Sequence, residues 1–223
     1  MLFLDSASLE EAQAAAAHPY FGGLSFNPTL LARALGTDVV TRERFITHLR
    51  ALADVTHGRR LYVQPVAHDT EGLLRDARDI LEVVNPIRVV IKLPYTPDGL
   101  RAMRNLADRG INTCVTSIFT PLQAYVAAST GATWIAPYCN RITAAGGDGV
   151  ETVRAIGQLL RAHRLECQQL VASVKSLAEM EAVLATGPCK VTVPLSLFEE
   201  AGRHAMSDAA DARFEQDLRW AGF

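Results

Sequence analysis

Short runs of apolar and β-branched residues recur along the chain, separated by longer stretches in which apolar positions return every three or four residues. The short runs read as strands. They are Leu2–Asp5, Leu24–Asn27, Leu61–Val66, Arg88–Leu93, Asn112–Ser117, Trp134–Cys139, Gln169–Val174 and Lys190–Leu195, eight in all. The stretches between them predict helices over Leu9–Ala17, Thr29–Leu35, Arg42–Val55, Glu71–Val84, Asp98–Arg109, Pro121–Ser129, Val150–His163 and Leu177–Thr186. Leu197–Gly202 and a carboxyl-terminal helix over about 208–220 follow the last strand. Thr96-Pro97 and Thr120-Pro121 each set Pro in a first helical turn behind a Thr able to cap it, and Ser6 and Ser8 precede Leu9. Gly110, Gly131 and Gly187 stand where helices should stop before a strand.

Strand starts recur at about 20 to 40 residues, which lets each parallel strand return through a helix. Eight such units in 223 residues match a (β/α)8 TIM barrel with almost no spare length. No Gly/Ser-rich linker or change of composition divides residues 1–223, so the expectation is one α/β barrel domain with an extra carboxyl-terminal helix. A doubly wound open sheet is the alternative architecture.

Composition narrows the function. The net charge of −2 argues against nucleic acid as a partner, which calls for a basic excess. No apolar run approaches the length of a membrane span, and Leu2-Phe3-Leu4 enters a strand with none of the regions of a signal peptide. The expectation is a soluble, cytoplasmic chain. Cys114, Cys139, Cys167 and Cys189 form no CxxC pair, and the six His lie in no HExxH or zinc-finger spacing. The Cys residues therefore read as buried small hydrophobes. Neither GxGxxG nor a P-loop is present. No metal and no cofactor is expected. The basic residues are 19 Arg but only three Lys: Lys92, Lys175 and Lys190. Where Arg supplies nearly all the positive charge, a Lys within an apolar run draws attention.

Barrel chemistry sits at the carboxyl ends of strands, and residues two apart on a strand share a face. Lys92 shares a face with Val90 near the end of the fourth strand. Desolvation there favours the neutral amine, the form that attacks a carbonyl to give a Schiff base. The plain alternative is a Lys buried beside a carboxylate. The same parity aligns Asp5 with Phe3, Asn27 with Ser25, Gln64 with Tyr62, Thr116 with Cys114 and Tyr138 with Ala136. A carboxylate, two amides, a hydroxyl and a phenol thus gather around an amine, a costly group to bury unless its members bond one another or a ligand. Arg141, Ser173 and Lys175 converge on the other side of the mouth and suit a phosphate. The run 144–149, rich in glycine, promises backbone N–H groups nearby. The alternative for these cations is solvated charge paired with Asp148 or Glu151.

These residues resemble a family. Leu-Phe-Leu-Asp5, Phe26-Asn27-Pro28-Thr29, Val-Ile-Lys92-Leu-Pro, Ala136-Pro-Tyr138-Cys-Asn140-Arg141-Ile, Val171-Ala-Ser173-Val-Lys175 and Phe214-Glu-Gln-Asp resemble the small transaldolase-like class I aldolases. This is the fructose-6-phosphate aldolase and short transaldolase group, and the likeness runs over essentially the whole chain. It implies a (β/α)8 barrel, Lys92 as the Schiff-base residue, and a homo-oligomer built from rings (a pentamer or decamer) in which a carboxyl-terminal helix reaches a neighbour. Phe214, Leu218 and Trp220 suit such docking or packing on their own barrel. Transaldolases of the group carry Glu, Ser and Phe where this chain has Gln64, Ala136 and Tyr138, so all three resemble the aldolase branch. Phe26, where relatives have Thr, and Cys114, where transaldolases have Asn, depart from the pattern and are expected to face or flank the donor pocket.

The resemblance implies a metal-independent class I aldolase that cleaves or forms a ketose phosphate such as fructose 6-phosphate. Its partners would be dihydroxyacetone or hydroxyacetone and an aldehyde such as glyceraldehyde 3-phosphate. Lys92 would be the nucleophile. Asp5 would move protons, and Tyr138 would act as acid and base with a water held by Gln64 and Thr116. Asn27, with Ser25 and Ala136, would shape the donor site, and Arg141, Ser173 and Lys175 would hold phosphate. The alternatives are a transaldolase that passes the dihydroxyacetone unit to a second sugar phosphate, and a non-catalytic sugar-phosphate-binding barrel.

Overall fold

In the computed structural model, which describes residues 1–37 and 39–220 with the side chains of Arg219 and Trp220 left aside, every apolar run becomes a parallel strand. They are β1 (Leu2–Asp5), β2 (Phe21–Phe26), β3 (Arg60–Val63), β4 (Val89–Pro94), β5 (Thr113–Ile118), β6 (Trp134–Pro137), β7 (Gln168–Val171) and β8 (Lys190–Val193). They form a closed barrel in sequence order. Closure is carried by β1 against β8, with Phe3 opposite Thr192 and Leu4 opposite Val193, a pairing an open doubly wound sheet lacks. The (β/α)8 expectation is met.

The surrounding helices are α1 (Leu9–Ala16), α2 (Pro28–Leu35), α3 (Arg42–Val55), α4 (Thr70–Val83), α5 (Pro97–Ala107), α6 (Pro121–Ser129), α7 (Cys139–Ala144), α8 (Gly149–Ala162), α9 (Leu177–Leu184), α10 (Leu195–Glu200) and α11 (Ala205–Trp220). Their starts follow the sequence signals. Thr96 and Thr120 cap α5 and α6 with Pro in the first turn, and Gln123 completes a capping box with Thr120. Each such cap stabilises its helix by about 1 kcal/mol.

Three differences from the sequence reading have local causes. β2 starts at Phe21 rather than Leu24 because Gly22 and Gly23 break the side-chain alternation while keeping the strand. Gly23 has φ +138, and a Cβ there would lie 1.8 Å from the Arg60 carbonyl oxygen, so only glycine lets β2 pass β3. β6 stops at Pro137, since Cys139–Ala144 turns into α7, a helix too short to show periodicity. The last helix begins at Ala205, earlier than expected, and its residues 205–218 are all exposed. Phe214 and Leu218, 63% and 54% exposed, do not pack on their own barrel. The side chain of Trp220 lies outside the described residues.

Side-chain alternation produces two cores. Leu4, Leu24, Phe26, Leu61, Val63 and Ile91 point outward into the layer between strands and helices. Phe3, Tyr62, Val90, Cys114, Trp134, Ala136 and Leu170 fill the barrel interior. Edge-to-face contacts of Tyr62 with Phe3 at 5.3 Å and with Trp134 at 5.5 Å make this a packed plug rather than a pore. All four cysteines are free, and burial pushes the thiols of Cys114, Cys139 and Cys167 up to about 12. No described helix is long and apolar enough to cross a membrane.

Candidate active site

Above the plug, at the carboxyl ends of the strands, lies a cavity of about 210 Å³ lined by Asp5, Asn27, Lys92, Tyr138, Asn140, Arg141, Ala172, Ser173 and Lys175. The barrel brings together side chains that are up to 170 positions apart in the chain (Asp5 to Lys175).

Lys92 forms part of the floor. Its residue is 3% exposed, and Nζ donates to the Oγ of the fully buried Ser25 at 3.1 Å. Among the described residues no carboxylate lies within 4.0 Å of it. A buried amine is commonly matched by an acid, and here the partner is a hydroxyl. Asp5 is the carboxylate of the site. Burial raises its pKa above the usual range, and the positive fields of Lys92, Lys175 and Arg141 oppose that rise. The three cations line the same cavity as this one acid.

Tyr138 follows β6 directly and is buried. Its phenolic oxygen accepts from Thr116 Oγ1 at 2.9 Å, which fixes the hydroxyl while its ring lines the cavity. The Arg141 guanidinium lies over the ring at 4.7 Å, and Phe119 meets it edge-on at 5.7 Å. The unexpected helix α7 makes this possible. Cys139 N–H donates to the Ala172 carbonyl at 3.0 Å and Asn140 N–H to the Ser173 carbonyl at 2.9 Å. These two bonds turn Arg141 back over the mouth beside Ser173. Ser173 itself sits at φ +59, a conformation that costs a non-glycine residue about 1 kcal/mol.

Asn27 caps α2, its Oδ1 accepting from Leu30 N–H at 3.0 Å. With the oxygen committed, its amide N–H donors are the groups left for the cavity. Ser25 lies under Lys92, and Ala136 belongs to the plug, so neither lines the cavity. Gln64 is half-buried beyond the end of β3 and also lies off the cavity lining.

Arg141 and Lys175 are exposed and have no acidic partner within 4.0 Å among the described residues. Asp148 instead caps α8, and Glu151 pairs with Arg154 at 3.0 Å. The Lys175 backbone N–H is held by Glu179 Oε2 at 2.7 Å, which leaves its side chain to the mouth. The glycine-rich run 144–149 does not line the cavity, because its residues form the turn from α7 to α8. Phe26 needs a correction too. It points into the outer layer, since Ser25 takes the inward position. Cys114 does face inward, opposite Lys92 in the β4–β5 register and close enough for its charge to act on the thiol. Asn140 and Ala172 line the cavity without having been singled out as site residues. Asn140 stands beside Arg141, and only the helical turn reveals it. Among the described residues no group of three or more His, Cys, Asp and Glu side chains is arranged to hold a metal ion.

Residues 2–222 match the family model described as transaldolase/fructose-6-phosphate aldolase. A protein named probable transaldolase from Syntrophobacter fumaroxidans is 33% identical over 215 residues, 96% of this chain and 95% of that protein. One of the same name from Thermus thermophilus is 32% identical over 218 residues, 97% of this chain and 96% of that protein. Among solved structures, dihydrodipicolinate synthase from Rhodopseudomonas palustris superposes with a TM-score of 0.64 at 12% identity, covering 99% of this chain and 78% of that one. At that identity the likeness is one of fold alone.

Proposed function

Because the chain belongs to the transaldolase/fructose-6-phosphate aldolase family, a family of enzymes, we propose that it is a Schiff-base aldolase. It acts on a ketose phosphate such as fructose 6-phosphate, or in reverse on dihydroxyacetone or hydroxyacetone and an aldehyde. The observation that carries this reading is Lys92, a buried amine at the floor of a polar cavity whose protein partner is a serine hydroxyl rather than an acid.

The amine of Lys92 adds to the ketose carbonyl, and loss of water leaves an iminium. Removal of the proton from the C4 hydroxyl lets the C3–C4 bond break. Its electron pair flows into the iminium to give an enamine, and the aldehyde departs. Protonation of the enamine carbon and hydrolysis then return free dihydroxyacetone and the lysine. Tyr138, oriented by Thr116, is the acid and base, acting through a water. Asp5 assists the proton transfers at the carbinolamine. The amide donors of Asn27 orient donor hydroxyls, and Arg141, Ser173 and Lys175 hold the aldehyde's phosphate. Borohydride reduction in the presence of dihydroxyacetone should add the mass of the reduced donor at Lys92, and an unlabelled Lys92 in peptide analysis would overturn the mechanism.

The names of the relatives favour a second reading, a transaldolase. The Schiff base is the same, but a second aldehyde captures the enamine before a proton does. Release of free dihydroxyacetone, measured against transfer to erythrose 4-phosphate, separates the two. We also propose that α11 docks on a second copy of this chain. Met206, Phe214 and Leu218 are exposed on it, and deletion of the helix should lower the mass measured by light scattering.

A further inference from the structure

The lysine left without a role in the chemistry, Lys190, opens β8 at the other end of the barrel. There lies a second cavity, of about 350 Å³, whose cationic lining is Arg59, Arg60, Arg88 and Lys190. No carboxylate lines it, and among the described residues none lies within 4.0 Å of these four groups. In a chain whose net charge is −2, four unpaired cations around one opening are a concentrated exception. Two of them crowd a single ring: the Lys190 ammonium lies 4.7 Å and the Arg60 guanidinium 5.6 Å from the Trp134 centroid. Burial and the Arg60 charge both lower the Lys190 pKa, so these like charges repel where nothing neutralises them. Beside Arg60 lies the hydroxyl of the fully buried Tyr62, on which burial and the Arg60 charge act in opposite directions. The Arg88 guanidinium donates to Thr56 Oγ1 at 3.1 Å and the Ala53 carbonyl at 3.2 Å. Both acceptors are neutral, so its charge remains uncompensated.

We propose that this amino-terminal mouth of the barrel is a second anion site, which takes a phosphate group. Converging guanidinium and ammonium donors match a tetrahedral, multiply charged acceptor. Two sources share that chemistry: inorganic phosphate and the phosphate of a small metabolite. The site is separated from the catalytic cavity by the interior plug and does not depend on the reading of that cavity.

Calorimetric titration of the full chain at low salt tests it, with inorganic phosphate in one arm and glycerol 3-phosphate in the other. Both arms are run in an Arg141→Ala/Lys175→Ala background so that the carboxyl-end mouth contributes no phosphate site. The expected result is one equivalent of phosphate per chain in that background. Adding Arg60→Gln and Lys190→Gln should weaken it at least tenfold, while Lys190→Arg should restore it. Arg59→Glu, an exposed change that leaves packing alone, should weaken it as well. A tighter constant for glycerol 3-phosphate would identify a metabolite as the ligand, and equal or weaker binding would identify free phosphate. No binding heat in the background chain, or heat unchanged by Arg59→Glu and by the paired Gln substitutions, would overturn the site. The count of equivalents lost through Arg141→Ala/Lys175→Ala bears only on the catalytic phosphate contacts, so the two failures remain distinguishable.

Discussion

Replacing Lys92 by Met should abolish catalysis and stabilise the fold at the same time. Met matches the length of the Lys stem, so the 3%-exposed site keeps its packing and no cavity opens. What disappears is an ionisable head held by one serine hydroxyl at 3.1 Å, with no carboxylate within 4.0 Å among the described residues. Exchanging buried ionic groups for apolar ones of similar volume gains about 1–4 kcal/mol. Ser25 Oγ loses its donor, which costs about 1 kcal/mol. The net gain is about 0–3 kcal/mol, and for a chain of this size that raises the melting temperature by up to about 12 °C. Scanning calorimetry of both proteins reads the shift, and an aldol cleavage assay reads the loss. Unchanged activity would mean that the chemistry lies elsewhere. A melting temperature lowered by several degrees would refute the energetic reasoning, because Lys92 would then be a structural group whose bond to Ser25 outweighs its burial.

Tyr138→Phe removes the oxygen that accepts from Thr116 but keeps the ring under Arg141. Release of free dihydroxyacetone should fall about 10²–10⁴-fold, while borohydride trapping at Lys92 persists; equal loss of both would deny Tyr138 its role as proton donor. Asp5→Asn bears on stability through pH. Burial raises the Asp5 pKa in the folded chain, so the native state is most favoured while Asp5 is protonated and loses that advantage as pH rises through the folded-state value. The melting temperature of Asp5→Asn relative to wild type should therefore climb with pH above the ordinary Asp value of about 3.9 and then level off. A difference that does not vary with pH would contradict it. Lys175→Ala should raise KM for a phosphorylated aldehyde about 10–100-fold, the equivalent of one lost charge-assisted hydrogen bond. KM for the unphosphorylated aldehyde should hold, and a parallel rise for both would remove phosphate from the account.

Parity along the strands was the readable part of the site. Counting in twos from Phe3, Val90 and Cys114 places Asp5, Lys92 and Thr116 inward, and the structure puts the first two on the cavity and the third against Tyr138. Parity fails where the chain leaves the sheet. Gln64 lies beyond the last paired residue of β3 and escapes the cavity, and Tyr138 reaches it only because a single bridge to Ala172 extends β6. Helix α7 was illegible because six residues are too few to display a period, so Asn140 and the stacking of Arg141 on Tyr138 were hidden with it. Phe26 lies in the outer layer. It adjoins Asn27 in a motif, but adjacency along a strand means opposite faces. Glycine gave a similar blind spot in β2, where Gly22 and Gly23 carry no side chain to alternate.

The two ends of the barrel should respond independently to substitution. The barrel interior between the two mouths holds Phe3, Tyr62, Val90, Cys114, Trp134, Ala136 and Leu170, which form a cluster of their own distinct from the outer core. The titratable groups of these seven are one phenol and one thiol, and burial pushes both toward their neutral forms. The cluster therefore offers no chain of charged groups along which a change at one mouth could shift the other. Sites that share no partner add in free energy to within a few tenths of a kcal/mol. Substitutions at Arg60 and Lys190 should thus leave cleavage rates alone, and Lys92→Met should leave phosphate binding at the far mouth alone. Trp134 is the residue through which that separation would fail. It stacks beneath both far-end cations and against Tyr62, so trimming it removes packing that both ends share. A Trp134→Leu chain is where coupling between the two mouths should first become measurable.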